Sequence, residues 1–242
     1  MTVSTSGIGT LREQPLHAEL KAWYARDGGE VEVPVDGYVV DVVRDSLLIE
    51  IQTTGFAGVK RKLSRLSAVH PLLLVYPVAT ERWLVTREGT QRKSPKHGTV
   101  LHLFDALVSF PHLALCPNFS LEVALIHERV VRHRDARRGR RHHGWVVDER
   151  RLVSVVRTRR FEGAADLAAL LPETLPQPFS TAELAHALGC RRQLAQRMAY
   201  CLREMGALAV VGKSRRALLY RKCELEEIAY DRDRATVEEI QC

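Results

Sequence analysis

The sequence predicts a fold of the α/β (α+β) class, with two folded units and an acidic tail. Three observations predict it. Residues 30–78 have the pattern of three strands, a helix and a further strand. Residues 180–221 have the pattern of two helices followed by a hairpin. Between these units, LPETLPQPF at residues 171–179 is rich in proline and typical of a linker.

The composition favours a soluble globular protein. Hydrophobic residues make up 45% of the chain and charged residues 27%. Apolar runs are too short to span a bilayer, and the start MTVSTSGIGT lacks the basic and apolar segments of a signal peptide. The five cysteines lack Cys-x-x-Cys spacing, so they predict neither a disulfide framework nor a zinc knuckle. We therefore expect a cytoplasmic protein without a membrane partner.

Residues 10–26 are predicted to form the first helix. Its apolar stripe consists of Leu16, Leu20 and Trp23. Glu13 and Glu19 flank this stripe on opposite sides, and Glu13 shares its polar edge with His17 and Lys21. Because Thr10-x-x-Glu13 also has the spacing of a capping box, a purely structural role for Glu13 stays open.

Acidic and amide side chains interrupt the next apolar segments. Residues 38–43 and 47–53 are β-branched runs of strand length, separated by a short turn, which predicts a hairpin. Asp41 lies among four valines, and Glu50 and Gln52 share one face of their strand. Because a buried carboxylate is costly unless it is paired or bound to a metal, these residues indicate a bound cation.

Residues 56–69 are predicted to form the second helix, and residues 71–78 the fourth strand. The helix buries Phe56, Val59, Leu63 and Leu66. We expect Lys60 on the edge that faces the sheet, although a lysine snorkelling from the rim has the same pattern. We expect Lys62 to point away from the sheet as a solvated surface residue.

The order of these elements resembles the PD-(D/E)XK nuclease superfamily. Its core is a helix, a three-stranded meander, a helix and a further strand, which defines a restriction-endonuclease-like αβββαβ fold with a mixed sheet. Its signature is an Asp on the second strand followed by (D/E)-x-K on the third. Asp41 and then Glu50-Ile51-Gln52 match it, except that Gln52 stands where the family usually has Lys. The resemblance covers residues 10–80.

The resemblance implies a metal-dependent nuclease that uses Mg²⁺ or Mn²⁺. Asp41, Glu50 and the Ile51 carbonyl would hold the cation, and a first-helix acid, Glu13 or else Glu19, would assist. Gln52 can position a water by hydrogen bonds but brings no charge. Lys60 or Lys21 would then supply the charge of the missing motif lysine.

The net charge of +7 is unevenly distributed. Residues 132–160 carry eleven arginines against three acids, and residues 180–223 carry nine basic residues against two acids. Clustered positive charge favours a polyanion through counterion release. We read residues 80–160 as an elaboration of the core, with a helix at 101–110, strands at 121–131 and 146–159, and a basic loop at 132–144. The loop arginines expected to reach phosphate are Arg137, Arg138, Arg140 and Arg141.

Residues 175–223 resemble the winged helix-turn-helix family. A capping box at Ser180–Glu183 opens a helix at 181–188, a basic helix follows at 191–205, and a hairpin is predicted at 208–221. The expected nucleic-acid contacts are Arg191, Arg192, Arg197, Lys213, Arg215 and Arg216. Winged helices also serve protein contacts, so that use stays open.

The predicted organisation is a nuclease-like domain at residues 1–165, a winged domain at 166–223 and an acidic tail at 224–242. The predicted function is hydrolysis of DNA phosphodiester bonds in repair, recombination or defence. The sequence does not separate DNA from RNA, and it leaves a homodimer open. Two alternatives remain: a nucleic-acid-binding regulator whose nuclease fold is inactive, and a protein-interaction module.

Overall fold

A computed structural model describes residues 14–53, 56, 58–135, 144–215 and 217–223. The first half contains α1 (Pro15–Tyr24), β1 (Glu30–Val35), β2 (Tyr38–Arg44), β3 (Leu47–Ile51), α2 (Lys60–Ser67) and β4 (Leu72–Thr86). The middle contains β5 (Gln91–Lys93), α3 (Leu103–Leu107), β6 (Phe119–Arg134) and β7 (Trp145–Phe161), with short 3-10 turns at Val100–His102 and Pro111–Leu115. The last part contains α4 (Ala164–Ala168), α5 (Thr181–Ala187), α6 (Arg192–Glu204), β8 (Leu208–Ser214) and β9 (Ala217–Lys222).

The first seven strands form one mixed sheet. Its order is β1-β2-β3-β4-β6-β7, and β5 pairs with the outer part of β4. The pairs β3–β4 and β4–β6 are parallel, whereas the pairs β1–β2, β2–β3 and β6–β7 are antiparallel. The predicted mixture of α and β structure is therefore confirmed.

Two tight turns shape the meander of β1, β2 and β3. Asp36 and Gly37 connect β1 to β2 with φ angles of 47° and 79°. Positive φ at both central residues of a two-residue hairpin matches the right-handed twist of the strands, and Gly adopts it without steric cost. Asp45 has a φ of 54° in the turn between β2 and β3. The hairpin predicted from the sequence is thus confirmed.

Helices cover both faces of the sheet. Leu16 and Leu20 of α1 are fully buried against a cluster that includes Ile49 of β3. Leu63 and Leu66 of α2 are buried on the other face, where α3 and α6 also pack. Trp23 was expected in the buried stripe of α1 but is only partly buried. The neighbouring Tyr24 is buried instead. The Tyr24 hydroxyl donates a hydrogen bond to Glu122 of β6 at 2.5 Å.

The outer strands are much longer than their apolar segments predict. β4 continues eight residues past the predicted end at Val78, and β6 continues to Arg134. Residues 132–134 were expected in a loop, and that expectation is wrong. Arg132 pairs with Val147 and Arg134 with Trp145, so cross-strand pairing holds a segment of low hydrophobicity in the sheet. Within the described residues, no helix has both the length and the apolar character needed to span a membrane.

A fully buried carboxylate holds this extension together. Glu128 of β6 is 0% exposed and contacts Arg82 of β4. Arg150 of β7 donates two hydrogen bonds to Glu128, at 2.9 Å and 2.7 Å. Three neighbouring strands are therefore joined by one acid between two guanidinium groups.

Removing that acid is expected to destabilise the protein strongly. Glu128→Ala would leave two partly buried arginines without their shared carboxylate, a loss of about 3–5 kcal/mol in the free energy of unfolding. Urea unfolding measures it. Glu81→Ala serves as the control, because Glu81 forms a more exposed pair with Lys93, and it should change the midpoint little. Equal midpoints for the two variants would contradict a structural role for Glu128.

The carboxy-terminal helices share the main hydrophobic cluster with the sheet. Leu184 of α5 and Met198 of α6 are buried in the same cluster as Leu74 of β4 and Phe104 of α3. The capping box at the start of α5 is confirmed, because Ser180 and Glu183 exchange side-chain and backbone hydrogen bonds. Two helices and the β8–β9 hairpin follow in the predicted order.

Candidate active site

Asp41 and Glu50 meet where β2 and β3 separate. The two strands pair at Val42–Ile49, Val43–Leu48 and Arg44–Leu47. Beyond the Val42–Ile49 pair, hydrogen bonds to side chains replace the hydrogen bonds between the two backbones. The Ile51 N–H donates to Asp41 Oδ2 at 2.8 Å, and the Asp41 N–H lies 3.3 Å from Glu50 Oε1 as a longer hydrogen bond. The two carboxylates are therefore held within one opening of the sheet.

Burial and mutual repulsion make these carboxylates unequal. The side chain of Glu50 is 7% exposed and that of Asp41 is 17% exposed. Burial, then the negative charge of Asp41, raise the pKa of Glu50 to about 7, although Lys62 opposes the shift. Burial also acts to raise the pKa of Asp41, but the hydrogen bond and charge of His17 outweigh it and hold that pKa below its usual value. Asp41 is thus the more acidic member of the pair.

Lys62 contacts Glu50 directly. Its Nζ forms an ion pair with Glu50 Oε1 and donates to the Val39 carbonyl at 2.6 Å. The expectation that Lys62 points away from the sheet is wrong, and Lys60 is an exposed residue at the start of α2. The reason is the register of the helix: Lys62 lies four residues before the buried Leu66 and therefore on the same side of α2.

His17 of α1 approaches the site from the other face of the sheet. Its Nε2 lies 3.1 Å from Asp41 Oδ2 and 2.9 Å from the Ile51 carbonyl oxygen. Burial of Leu16 and Leu20 fixes the rotation of α1 that brings His17 there. Sequence reasoning placed His17 on a polar helix edge but not among the site residues. The sequence signal that could have identified His17 as a site residue is its position beside the apolar stripe of α1.

The other acidic and basic candidates of α1 have different surroundings. Glu13 lies outside the described residues. Glu19 Oε2 accepts a hydrogen bond from the Leu152 N–H of β7 at 2.6 Å, so Glu19 contacts β7. Lys21 is buried and donates to Glu32 of β1 at 2.8 Å. Gln52 is partly buried directly after β3, where its backbone N–H donates to the Val75 carbonyl at 2.9 Å.

The chemistry of the site suits a divalent cation. In the described part of the chain, no three or more His, Cys, Asp and Glu side chains are gathered as a metal cluster. The available donors are instead two carboxylates and the Ile51 carbonyl, whose oxygen already accepts from His17. Mg²⁺ and Mn²⁺ prefer such oxygen ligands. The pKa of Glu50 is raised by burial first and then by the negative charge of Asp41, and a cation would relieve that second contribution.

The predicted nucleic-acid contacts fall into three groups. Arg191, Arg192, Lys213 and Arg215 are exposed, the first two at the start of α6 and the others on the β8–β9 hairpin. Arg197, expected to contact nucleic acid, lies on the side of α6 that faces α3 and forms an ion pair with Asp105. Arg137, Arg138, Arg140, Arg141, Arg216 and the acidic tail lie outside the described residues.

The fold and site define a mixed α and β protein with a buried Glu50, a partly buried Asp41 and a lysine where two strands of its sheet separate. Residues 14–162 match the model for the family described as Domain of unknown function (DUF8091), and the chain belongs to that family. An uncharacterized protein of Treponema pallidum (strain Nichols) is 30% identical over 222 residues, which cover 89% of this chain and 87% of the relative. No solved structure matches the chain.

Proposed function

We propose that the protein is a metal-dependent nuclease of the PD-(D/E)XK type that hydrolyses phosphodiester bonds in DNA. One observation carries the proposal: Asp41, Glu50 and Lys62 meet where β2 and β3 separate. The element order from α1 to β4, with β4 parallel to β3, supports the same assignment. Lys62 on α2 would take the place of the lysine that Gln52 replaces in the motif.

Asp41, Glu50 and the Ile51 carbonyl would hold Mg²⁺ or Mn²⁺. When bound, the cation would supply charge relief at the phosphate and lower the pKa of a water molecule. Glu50 must lose its proton to serve as a ligand, and the Lys62 ammonium stabilises its charged form. Lys62 would then be displaced toward the scissile phosphate, and Gln52 would orient a water by hydrogen bonds.

The remaining parts of the proposal concern the partner. We propose that residues 166–223 form a winged-helix unit that binds DNA through the exposed start of α6 and the β8–β9 hairpin. The basic character of these surfaces supports a polyanionic partner. We also propose a cytoplasmic location, and a homodimer would present one site to each strand of a duplex.

A cleavage assay tests the proposed activity. The purified protein is incubated with supercoiled, linear, branched and single-stranded DNA in Mg²⁺, Mn²⁺ or EDTA. We expect cleavage of at least one of these DNAs with either metal and none in EDTA. Tight DNA binding without cleavage under all metal conditions would instead favour the inactive regulator.

Glu50 gives the metal-free protein an expected pH dependence of stability. Its folded-state pKa of about 7 exceeds its ordinary value of 4.5, so the folded state binds the proton more tightly than the unfolded chain. The stabilisation is complete below the ordinary value and is lost as the pH rises through about 7, by about 3 kcal/mol. Urea unfolding in EDTA at about pH 5 and about pH 8 should show this loss in the parent protein but not in Glu50→Gln. An equal loss in both proteins would contradict the raised pKa.

A further inference from the structure

Three arginines at the far end of the sheet share one face. Arg92 of β5 pairs with Leu84 of β4, Leu84 pairs with Val130 of β6, and Arg132 and Arg134 follow Val130 at alternate positions. Residues that pair across strands, and residues two apart along one strand, point to the same face. Arg134 in turn pairs with Trp145 of β7. We call Arg92, Arg132, Arg134 and Trp145 the arginine face.

The guanidinium of Arg132 lies over an aromatic ring but has unmet hydrogen-bonding capacity. It lies 3.9 Å from the centre of the Trp145 ring, and the Arg134 guanidinium lies 5.3 Å from the same ring. Within the described residues, Arg132 Nε is buried without a hydrogen-bond partner. A buried donor without an acceptor is costly, and the other nitrogens of the same guanidinium are further donors that can bind an acceptor placed beside Trp145.

The two charged side chains that act most on Arg132 are both positive. Burial, then the positive charges of Arg92 and Arg134, lower the pKa of Arg132. Among the described residues, no carboxylate forms an ion pair with any of the three arginines. Nearby arginines differ in this respect, since Arg82 and Arg150 contact Glu128 and Arg87 contacts Asp148. In the part of the chain that the structure describes, the arginine face therefore has no acidic partner of the kind that Arg82, Arg87 and Arg150 have.

We propose that the arginine face binds the phosphate backbone of a nucleic acid. Guanidinium groups beside an aromatic ring can bind phosphate oxygens through paired hydrogen bonds, and an anion relieves their mutual repulsion. The inference rests on the proposed nuclease function, because it assigns a second contact with the substrate, at a distance from the bond that is cleaved.

The position of the face suits a duplex that also reaches the carboxylate pair. Ile51 lies level with Val75 of β4 and Glu122 of β6, and Arg132 is ten residues further along β6. At a rise of about 3.3 Å per residue, this is roughly 30 Å. A DNA duplex presents the same side again after about 34 Å. The arginine face would thus contact the backbone about one helical turn from the site.

Binding without metal tests the inference separately from cleavage. A fluorescent duplex of about 30 base pairs is titrated in EDTA at salt concentrations from about 0.05 to 0.2 M. Arg132→Gln/Arg134→Gln should lower affinity roughly tenfold to a hundredfold and reduce the slope of log affinity against log salt by about two. Arg92→Gln should reduce the slope by about one. Binding that weakens in this way supports the arginine face even if the protein never cuts DNA.

Arg87→Gln is the matched control. It removes one charge from the same end of the sheet, but Arg87 already pairs with Asp148 at 2.6 Å and 2.9 Å. We expect its salt slope to equal that of the parent. If the double variant fails to fold by circular dichroism, the comparison of exposed Arg92→Gln with Arg87→Gln decides. Equal slopes in these two variants would overturn the proposal. The proposal would also be overturned if the arginine variants lost binding to phosphatidylserine vesicles while their binding to DNA stayed unchanged.

Discussion

Replacing Asp41 with Asn, or Glu50 with Gln, is expected to reduce Mn²⁺-supported DNA cleavage by on the order of 10³-fold. Each change keeps the size of the side chain and an oxygen that can accept the Ile51 or Asp41 N–H, so the opening between β2 and β3 should persist. Each change removes one of the two negative charges that would hold the cation. Initial rates of supercoiled-plasmid nicking measure the effect.

The control for this experiment is Asp36→Asn. Asp36 is an exposed carboxylate in the β1–β2 turn, paired with His70 at 2.7 Å, and its neutralisation should leave cleavage unchanged. DNA affinity in EDTA should not fall in any of the three variants, because the loss of a negative charge does not weaken binding to a polyanion. Parental cleavage rates in Asp41→Asn would exclude this pair as the active site.

Replacing Lys62 with Met is expected to have the second largest effect, a loss of about 10²-fold in cleavage. Lys62 is the ammonium that contacts Glu50, and its side chain is only 18% exposed. Met keeps most of the apolar stem but removes the charge, so Glu50 would retain its proton to higher pH. Cleavage should therefore fall most at neutral pH and recover partly as the pH rises.

Lys60→Met is the matched control for Lys62. The two lysines lie two residues apart in α2, and Lys60 is exposed. We expect Lys60→Met to cut at nearly the parental rate, and Lys62→Arg to retain part of the activity because it restores a cation. The reverse result, with Lys60→Met inactive and Lys62→Met active, would show that Lys60 takes the role of the motif lysine, as the sequence predicted.

The sequence predicted the meander and its polar residues because both depend on local signals. Asp36-Gly37 forms the turn that its composition indicates, and the runs on either side form strands. Asp41 and Glu50 stood out because acidic side chains interrupt apolar strands, and the structure brings them together. The assignment of this core to a nuclease superfamily stays a prediction.

The residues that the sequence missed depend on packing between distant elements. Lys62 contacts Glu50 because it lies on the side of α2 that buries Leu66. The predicted helix began at residue 56, and its pattern placed Lys60 on the edge that faces the sheet. His17 reaches Asp41 across 24 positions of the chain. Arg197 was expected to contact nucleic acid, but it forms an ion pair with Asp105, 92 positions away. Helical periodicity in one segment contains no information on such partners.

The same limit applies to the long strands. The segment of β4 after Val78 contains Glu81 and Arg82 among apolar residues, so its composition alone does not favour a strand. Its pairing with β5 and β6, and the burial of Glu128 between Arg82 and Arg150, stabilise it as part of the sheet. Tertiary pairing thus outweighs local propensity there.

Crystals of the protein grown or soaked with Mn²⁺, and measured for anomalous scattering, test the central claim most directly. We expect an anomalous peak between the Asp41 and Glu50 carboxylates and the Ile51 carbonyl, with the Lys62 ammonium moved away from Glu50. Crystals of Asp41→Asn should lack that peak. An ordered site at saturating Mn²⁺ without a peak, and with Lys62 still paired to Glu50, would contradict the assignment of these residues as a metal site.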